Sequence, residues 1–274
     1  MSVYRLIVCC ILSSLLLRGT PVIAQSLTVV HEDFESYLKD GQTVSPIADQ
    51  GAWKSSPYGK PGGLVVSKSD NAGNATVILT APAGGDHHAR LLFDRKTWEK
   101  ATTHQAWCLE LKVRNGMQLM LGVNPAYNPK PAIQLKVGKS IQLVTPNDKT
   151  IQSINKLPDD WFVLRLIIQQ DQQNADTLHA WVAVKALSDP DASYMLDPSL
   201  RDVTIDISDV PLSRWDGIKF RIDHPTHQVD DLTFQAVDDV KSLLADCVEG
   251  QVMLPFLPLL DHITSPRQAL DLGG

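Results

Sequence analysis

The stretch "RIDHPTHQVDDLTF", Arg221 to Phe234, carries two histidines and three aspartates within nine positions. Imidazoles and carboxylates are ligands for zinc and other transition metals, and His224 and His227 form an H-x-x-H pair beside Asp223, Asp230 and Asp231. The same residues suit a turn: Pro225 interrupts the segment, and polar side chains belong where a chain reverses. His87-His88 in "GGDHHAR" reads as a polar turn. A second chemistry open to the chain is stacking on sugar rings. Trp53, Tyr58, Trp98 and Tyr127 lie in or beside turn-rich stretches, where aromatic side chains reach solvent. Trp107, Trp161, Trp181 and Trp215 fall in strand-like contexts and read as core. A Ser-His-Asp hydrolase would show a nucleophile signature such as G-x-S-x-G, and none is present.

The elements that must position these residues are strands. From Leu27 to Val237 the hydropathy alternates with period 2. "WCLELKV" puts Trp107, Leu109, Leu111 and Val113 on one face. "WFVLRLII" does the same with Phe162, Leu164, Leu166 and Ile168, and "LHAWVAVKA" with Leu178, Ala180, Val182 and Val184. Turn signals such as "KPGG", "APAGG", "NPAYNPKP", "TPNDK" and "SDPDA" separate the strands. Many short strands with little helical periodicity predict a two-sheet antiparallel sandwich. After Val237 the period changes. Val240, Leu243, Leu244, Cys247 and Val248 share one helical face, with Asp238 or Asp239 as cap and Gly250 as stop. The apolar "VMLPFLPLLDHI" that follows is broken by Pro255 and Pro258. It is expected to pack on the sandwich or to dock a protein partner.

The first residues, "MSVYRLIVCCILSSLLLRGTPVIAQS", read as a secretory signal over 1–24: Arg5, a short apolar run, and Val22-Ile23-Ala24 before Gln25. The apolar run is short of the roughly 20 residues that span a bilayer, so no membrane span is expected after cleavage. The sandwich is then 25–237 and the extension 238–274. The location is outside the cytoplasm: secreted, periplasmic or at the cell surface. A formal charge of −6 without a basic run argues against nucleic acid and anionic membranes as partners. Cys108 and Cys247 remain after cleavage, and an oxidising compartment would join them as one disulfide or leave two buried thiols.

"HEDFESYLKDGQTV" followed by Trp53, "DDWFVLRLII" and the closing "WDGIKFRIDHPTHQVDDLTF" resemble segments of secreted bacterial concanavalin A-like (laminin-G-like) jelly-roll domains. The resemblance covers roughly residues 30–237. It implies an all-β, concanavalin A-like jelly roll. It also implies that the first and last strands are neighbours, bringing Glu32, Asp33 and Glu35 towards Asp230 and Asp231. Five acids there imply a structural calcium that clamps the termini; the alternative is solvated acids at strand ends. Glycosidases of this fold carry Glu-x-Asp-x-x-Glu on one strand. The glutamates here are Glu32, Glu35, Glu99, Glu110 and Glu249, and none lies in that pattern. Alginate-lyase signatures are absent too. The leading expectation is a secreted, noncatalytic module binding polysaccharide or glycoconjugate. The alternatives are a structural or adhesion domain docking through its tail, and a polysaccharide-active enzyme with an aspartate-based site.

Overall fold

The computed structural model describes residues 26–55, 63–71, 74–122 and 131–249. The signal stretch, Tyr58, Tyr127 and the "VMLPFLPLLDHI" segment lie outside the described residues. Two sheets face each other. The smaller has seven strands in the order β11 (Thr150–Gln152), β10 (Ile141–Val144), β9 (Ile133–Val137), β8 (Met117–Leu121), β16 (Gly217–Ile222), β6 (His87–Leu92) and β3 (Trp53–Ser55). The larger runs β18 (Cys247–Glu249), β14 (Tyr194–Leu196), β13 (Thr177–Ala186), β12 (Phe162–Gln170), β7 (Ala106–Arg114), β17 (Gln228–Val237), β5 (Asn74–Thr80), β4 (Val65–Asn71) and β2 (Val44–Pro46). In it, β1 (Leu27–Glu32) pairs with β17, and β15 (Val203–Asp206) with β13. Every described strand pair is antiparallel except β14–β18, which is parallel. This is the two-sheet antiparallel jelly-roll sandwich expected from the alternation.

The faces are also as expected. Leu109, Leu111 and Val113 of β7, Leu164, Leu166 and Ile168 of β12, and Leu178, Ala180 and Val182 of β13 all enter the core between the sheets. Because side chains alternate along a strand, their neighbours point to the opposite face. At one place the alternation breaks. The register of β17 on β7 slips between Asp230 and Thr233, and Asp231 has φ of +44°. This is a β-bulge. It sits where the other neighbour of β17 changes from β5, opposite Val229, to β1, opposite Leu232.

Two elements differ from the sequence reading. A short helix α1 (Arg95–Ala101) follows β6, capped by Asp94, whose carboxylate accepts from Thr97 N at 2.9 Å. The helix predicted after Val237 is only α2 (Val240–Ala245). Cys247 and Val248 leave it and form β18, because the chain finds a backbone partner in the edge strand β14. α2 packs on the outer face of the large sheet over a second, smaller cluster that includes Cys108, Ile167, Trp181, Ala183 and Val240. This corrects the expected disulfide: Cys108 and Cys247 are free thiols. Cys247 Sγ instead donates to the Leu243 carbonyl at 3.4 Å.

Candidate functional site

The outer face of the seven-stranded sheet is built by alternation. Trp53, Ala89, Leu91, Leu119, Leu121, Ile218 and Phe220 fill the core, so the residues between them face outward. Strand register aligns these into two rows. The first reads Lys54, Arg90, Lys219, Met120 and Gln134 across β3, β6, β16, β8 and β9. The second reads His88, Arg221, Gln118, Lys136 and Gln142 across β6, β16, β8, β9 and β10. Side chains directly opposite on neighbouring strands are about 5 Å apart at Cβ, and like charges there repel. Lys54, Arg90 and Lys219 nevertheless stand side by side, in a chain whose net charge is −6. Close strand approach at this point depends on Gly217, where a Cβ would lie 2.2 Å from the Leu91 carbonyl oxygen.

Polar groups on this face are incompletely satisfied. His88 is 8% exposed, and neither of its ring nitrogens has a hydrogen-bond partner; Arg90 Nε is also buried and unpartnered. Burial, and then the charges of Lys219 and Arg221, push the His88 pKa down to about 4. The ring is therefore neutral at pH 7 and presents one donor and one acceptor. Burial, with Arg90 and Arg221 beside it, also lowers the pKa of Lys219. Asp86 neutralises Arg221, with its Oδ1 2.7 Å from Arg221 Nε. Near Arg90 lies Asp216, whose pKa burial raises to about 6 although Arg90 pulls it down. Amides continue the face, with Gln134 Nε2 donating to Gln118 Oε1 at 3.2 Å.

Of the aromatic sites predicted from sequence, Trp53 and Trp98 are not at the surface. Trp53 is fully buried between Phe34 and Phe220, with ring centroids 6.0 and 5.8 Å away. Trp98 is also buried, because α1 turns inward and stacks it on Trp215 at 5.7 Å and 5°. Both are core residues, since rings of this size reach the interior from a strand or a short helix alike. Of the six tryptophans, Trp161 alone is not buried.

The acidic residues at the chain ends are spread over separate partners. β1 and β17 do pair, with Glu32 opposite Leu232. Burial raises the pKa of Glu32, which lies beside Tyr37 and Trp53. Asp33 caps Glu35 N at 3.1 Å, Glu35 Oε1 accepts from Val77 N at 3.1 Å, and Asp231 pairs with Lys112. Asp230 Oδ1 accepts from Asp231 N at 2.8 Å. The histidine loop is likewise self-contained. His224 Nδ1 is 2.8 Å from Thr226 Oγ1, and His227 Nδ1 is 2.8 Å from Asp223 Oδ1. Among the described residues no group of three or more His, Cys, Asp or Glu side chains is placed to hold a metal ion. His87-His88 opens strand β6 rather than a turn.

A second polar cluster lies on the outer face of the large sheet. His179 bridges two carboxylates, Nδ1 to Asp202 at 2.7 Å and Nε2 to Asp171 at 3.1 Å. Burial opposes its protonation, but the two carboxylates outweigh burial and raise its pKa. With both ring nitrogens committed, this imidazole is an ion bridge rather than a free base. It borders a shallow cavity of about 490 Å³ with Gln169, Gln172 and Trp181.

No family model and no curated protein matches the chain. Solved structures do. The Emp47p carbohydrate recognition domain is 10% identical with a TM-score of 0.35, over 74% of this chain and 100% of that one. A legume lectin-like domain from Entamoeba histolytica is 11% identical with a TM-score of 0.35, over 67% and 89%. The binding domain of Botulinum neurotoxin DC, solved with rat synaptotagmin II, is 8% identical with a TM-score of 0.35, over 65% and 49%. The fold assignment rests on the strand order itself.

Proposed function

We propose that the chain is an exported glycan-binding module whose outer seven-stranded sheet face holds an acidic polysaccharide. The observation that carries this reading is the pair of rows containing Lys54, Arg90, Lys219, Arg221 and Lys136, set around an imidazole buried without partners. Like charges placed opposite one another repel, and the two carboxylates named on this face, Asp86 on Arg221 and Asp216 near Arg90, are fewer than its five cations. Carboxylates or sulfates spaced along a polymer supply further anions, and Arg binds them in bidentate fashion. The amides of Gln118, Gln134 and Gln142 supply the hydroxyl contacts away from the charges. Export through the N-terminal stretch belongs to the proposal and supplies the compartment in which such polymers occur.

The test is affinity electrophoresis and calorimetry against polygalacturonate, alginate, a sulfated galactan, neutral glucans and single-stranded DNA. Acidic polysaccharides are expected to retard the protein and neutral ones not to. Arg90→Gln and Lys219→Ala are each expected to weaken binding by about tenfold or more, the scale of one charge-assisted hydrogen bond. Preference for a neutral glucan, or tighter binding of the DNA, overturns the reading.

A further inference from the structure

The sandwich is open at one side. Where the edge strands β14 and β18 of the large sheet stand across from β10 of the small one, a cavity of about 430 Å³ is lined by Ile141, Leu157, Val184, Met195 and Val248. Val184 belongs to the inward face of β13 and packs against the main core. Met195 pairs with Val184, and Val248 with Met195, which carries the inward row to the edge. Among the described residues the row ends without a covering layer. Among the described residues, the exposed large hydrophobics are Val44, Ile154, Leu187, Met195 and Val248, at 53%, 56%, 39%, 45% and 48% exposure. Met195 and Val248 line the cavity, Ile154 is flanked by the lining residues Ser153 and Asn155, and Leu187 follows the lining residue Ala186. Thus Met195 and Val248 line the opening, and Ile154 and Leu187 are next in sequence to residues that do. A contiguous apolar patch of this kind marks a place where something docks.

We propose that the occupant is the chain's own segment Val252–Leu260, which closes the core from the open side. Three observations on this molecule select it. The last described strand, β18, forms part of the cavity wall through Val248, so the continuing chain starts at the rim. The next residues read "GQVMLPFLPLL", with six large apolar side chains from Met253 to Leu260, prolines aside, and no charge. Those eleven residues reach about 35 Å when extended, ample to leave the edge and return. Pro255 and Pro258 remove two backbone donors, which lets the segment lie against apolar side chains with fewer N–H groups to satisfy. Seated there, it also covers the otherwise bare edge of β18, which protects the sheet from pairing with another chain. This differs from tail docking to a foreign protein: the ligand of the opening is intramolecular.

The decisive experiment places the photoreactive amino acid p-benzoyl-phenylalanine at Phe256 in the full chain and maps crosslinks by mass spectrometry. Light scattering on the same sample gives the oligomeric state. The expected result is a monomer whose crosslinks fall on peptides containing Ile141, Met195 or Val248. Crosslinks between chains, to a second copy, overturn the proposal, as do crosslinks elsewhere on the sandwich or none at all. A second measurement holds if the photoreactive variant folds poorly. Phe256→Asp is expected to raise the fluorescence of the apolar dye ANS several-fold and to speed amide exchange in β14 and β18. Unchanged dye binding and exchange overturn it. Binding of acidic polysaccharide is expected to be the same in Phe256→Asp as in the parent chain.

Discussion

Asp230 places a carboxylate where charge is disfavoured. It is buried in the bulge of β17, and burial, then Asp231, raise its pKa to about 6. The folded state therefore holds the proton more tightly than the unfolded chain, whose aspartates titrate near pH 4. With the folded pKa raised, the contribution to stability is fully present below about pH 4 and is lost as pH rises through about 6. Asp230→Asn keeps an oxygen for the Asp231 N–H and removes the charge. It is expected to stabilise the protein by about 1–2 kcal/mol at pH 7, allowing for partial solvation, and by nothing at pH 4. Urea melts at the two pH values check this; equal gains at both would show that ionisation is not the cause. The Asp-Asp pair was visible in the sequence as a leader of the last strand. Its role as a bulge was not, because the bulge arises where β17 exchanges one neighbour for another, which no local pattern records.

At the scale of elements, Arg165 fixes the extension to the sheet. It lies beneath α2, with Nε donating to Glu110 Oε1 at 2.7 Å and Nη1 to the Leu243 carbonyl at 3.3 Å, and its guanidinium stacks 3.6 Å from the Tyr194 ring centre. Tyr194 Oη donates to the same Glu110 oxygen at 2.7 Å. Arg165→Leu leaves the Glu110 charge with only the Tyr194 hydroxyl of these two partners. A fully buried pair broken this way costs about 3–5 kcal/mol; Glu110 retains some water, so about 2–3 is expected, with faster amide exchange across residues 240–249. Exchange confined to the core strands would contradict this anchoring. Of the clamp expected between β1 and β17, the strands do pair, and Glu35 is close enough to Asp230 to help raise its pKa. If calcium bridges these acids, it raises the melting temperature and EDTA lowers it; no response to either removes the clamp. α1 shows what sequence reading overlooks: Asp94 and Thr97 form a legible cap, but seven helical residues give too short a period to stand out among strands.

For the whole molecule, the alternation of apolar residues made the sandwich and its inward faces legible. The cationic face was not. Its members come from β3, β6, β9 and β16, spread from Lys54 to Arg221, and no linear window holds more than two of them. Only the register brings them side by side. That segregation has a measurable signature. Charge-dominated binding weakens as salt rises, so retention by the acidic polymers is expected to fall steeply between about 50 and 200 mM salt. Salt-independent retention would point to the amide end of the rows instead. Trp53 and Trp98 misled for the complementary reason: their flanking turns are local, while the core they fill is assembled from both sheets.

One feature of the large sheet bears on how the protein is made. β17 is close to the end of the described chain yet lies at the sheet's centre, with β7 on one side and β5 and β1 on the other. Until residue 237 leaves the ribosome, the strands synthesised before it form two half-sheets with bare edges. Such pairing over long sequence separations is slow, and its intermediates aggregate readily. Closure of the large sheet is thus tied to the emergence of β17. If the chain is exported as proposed, that order of events keeps the polypeptide threadable through a translocation pore until β17 exists.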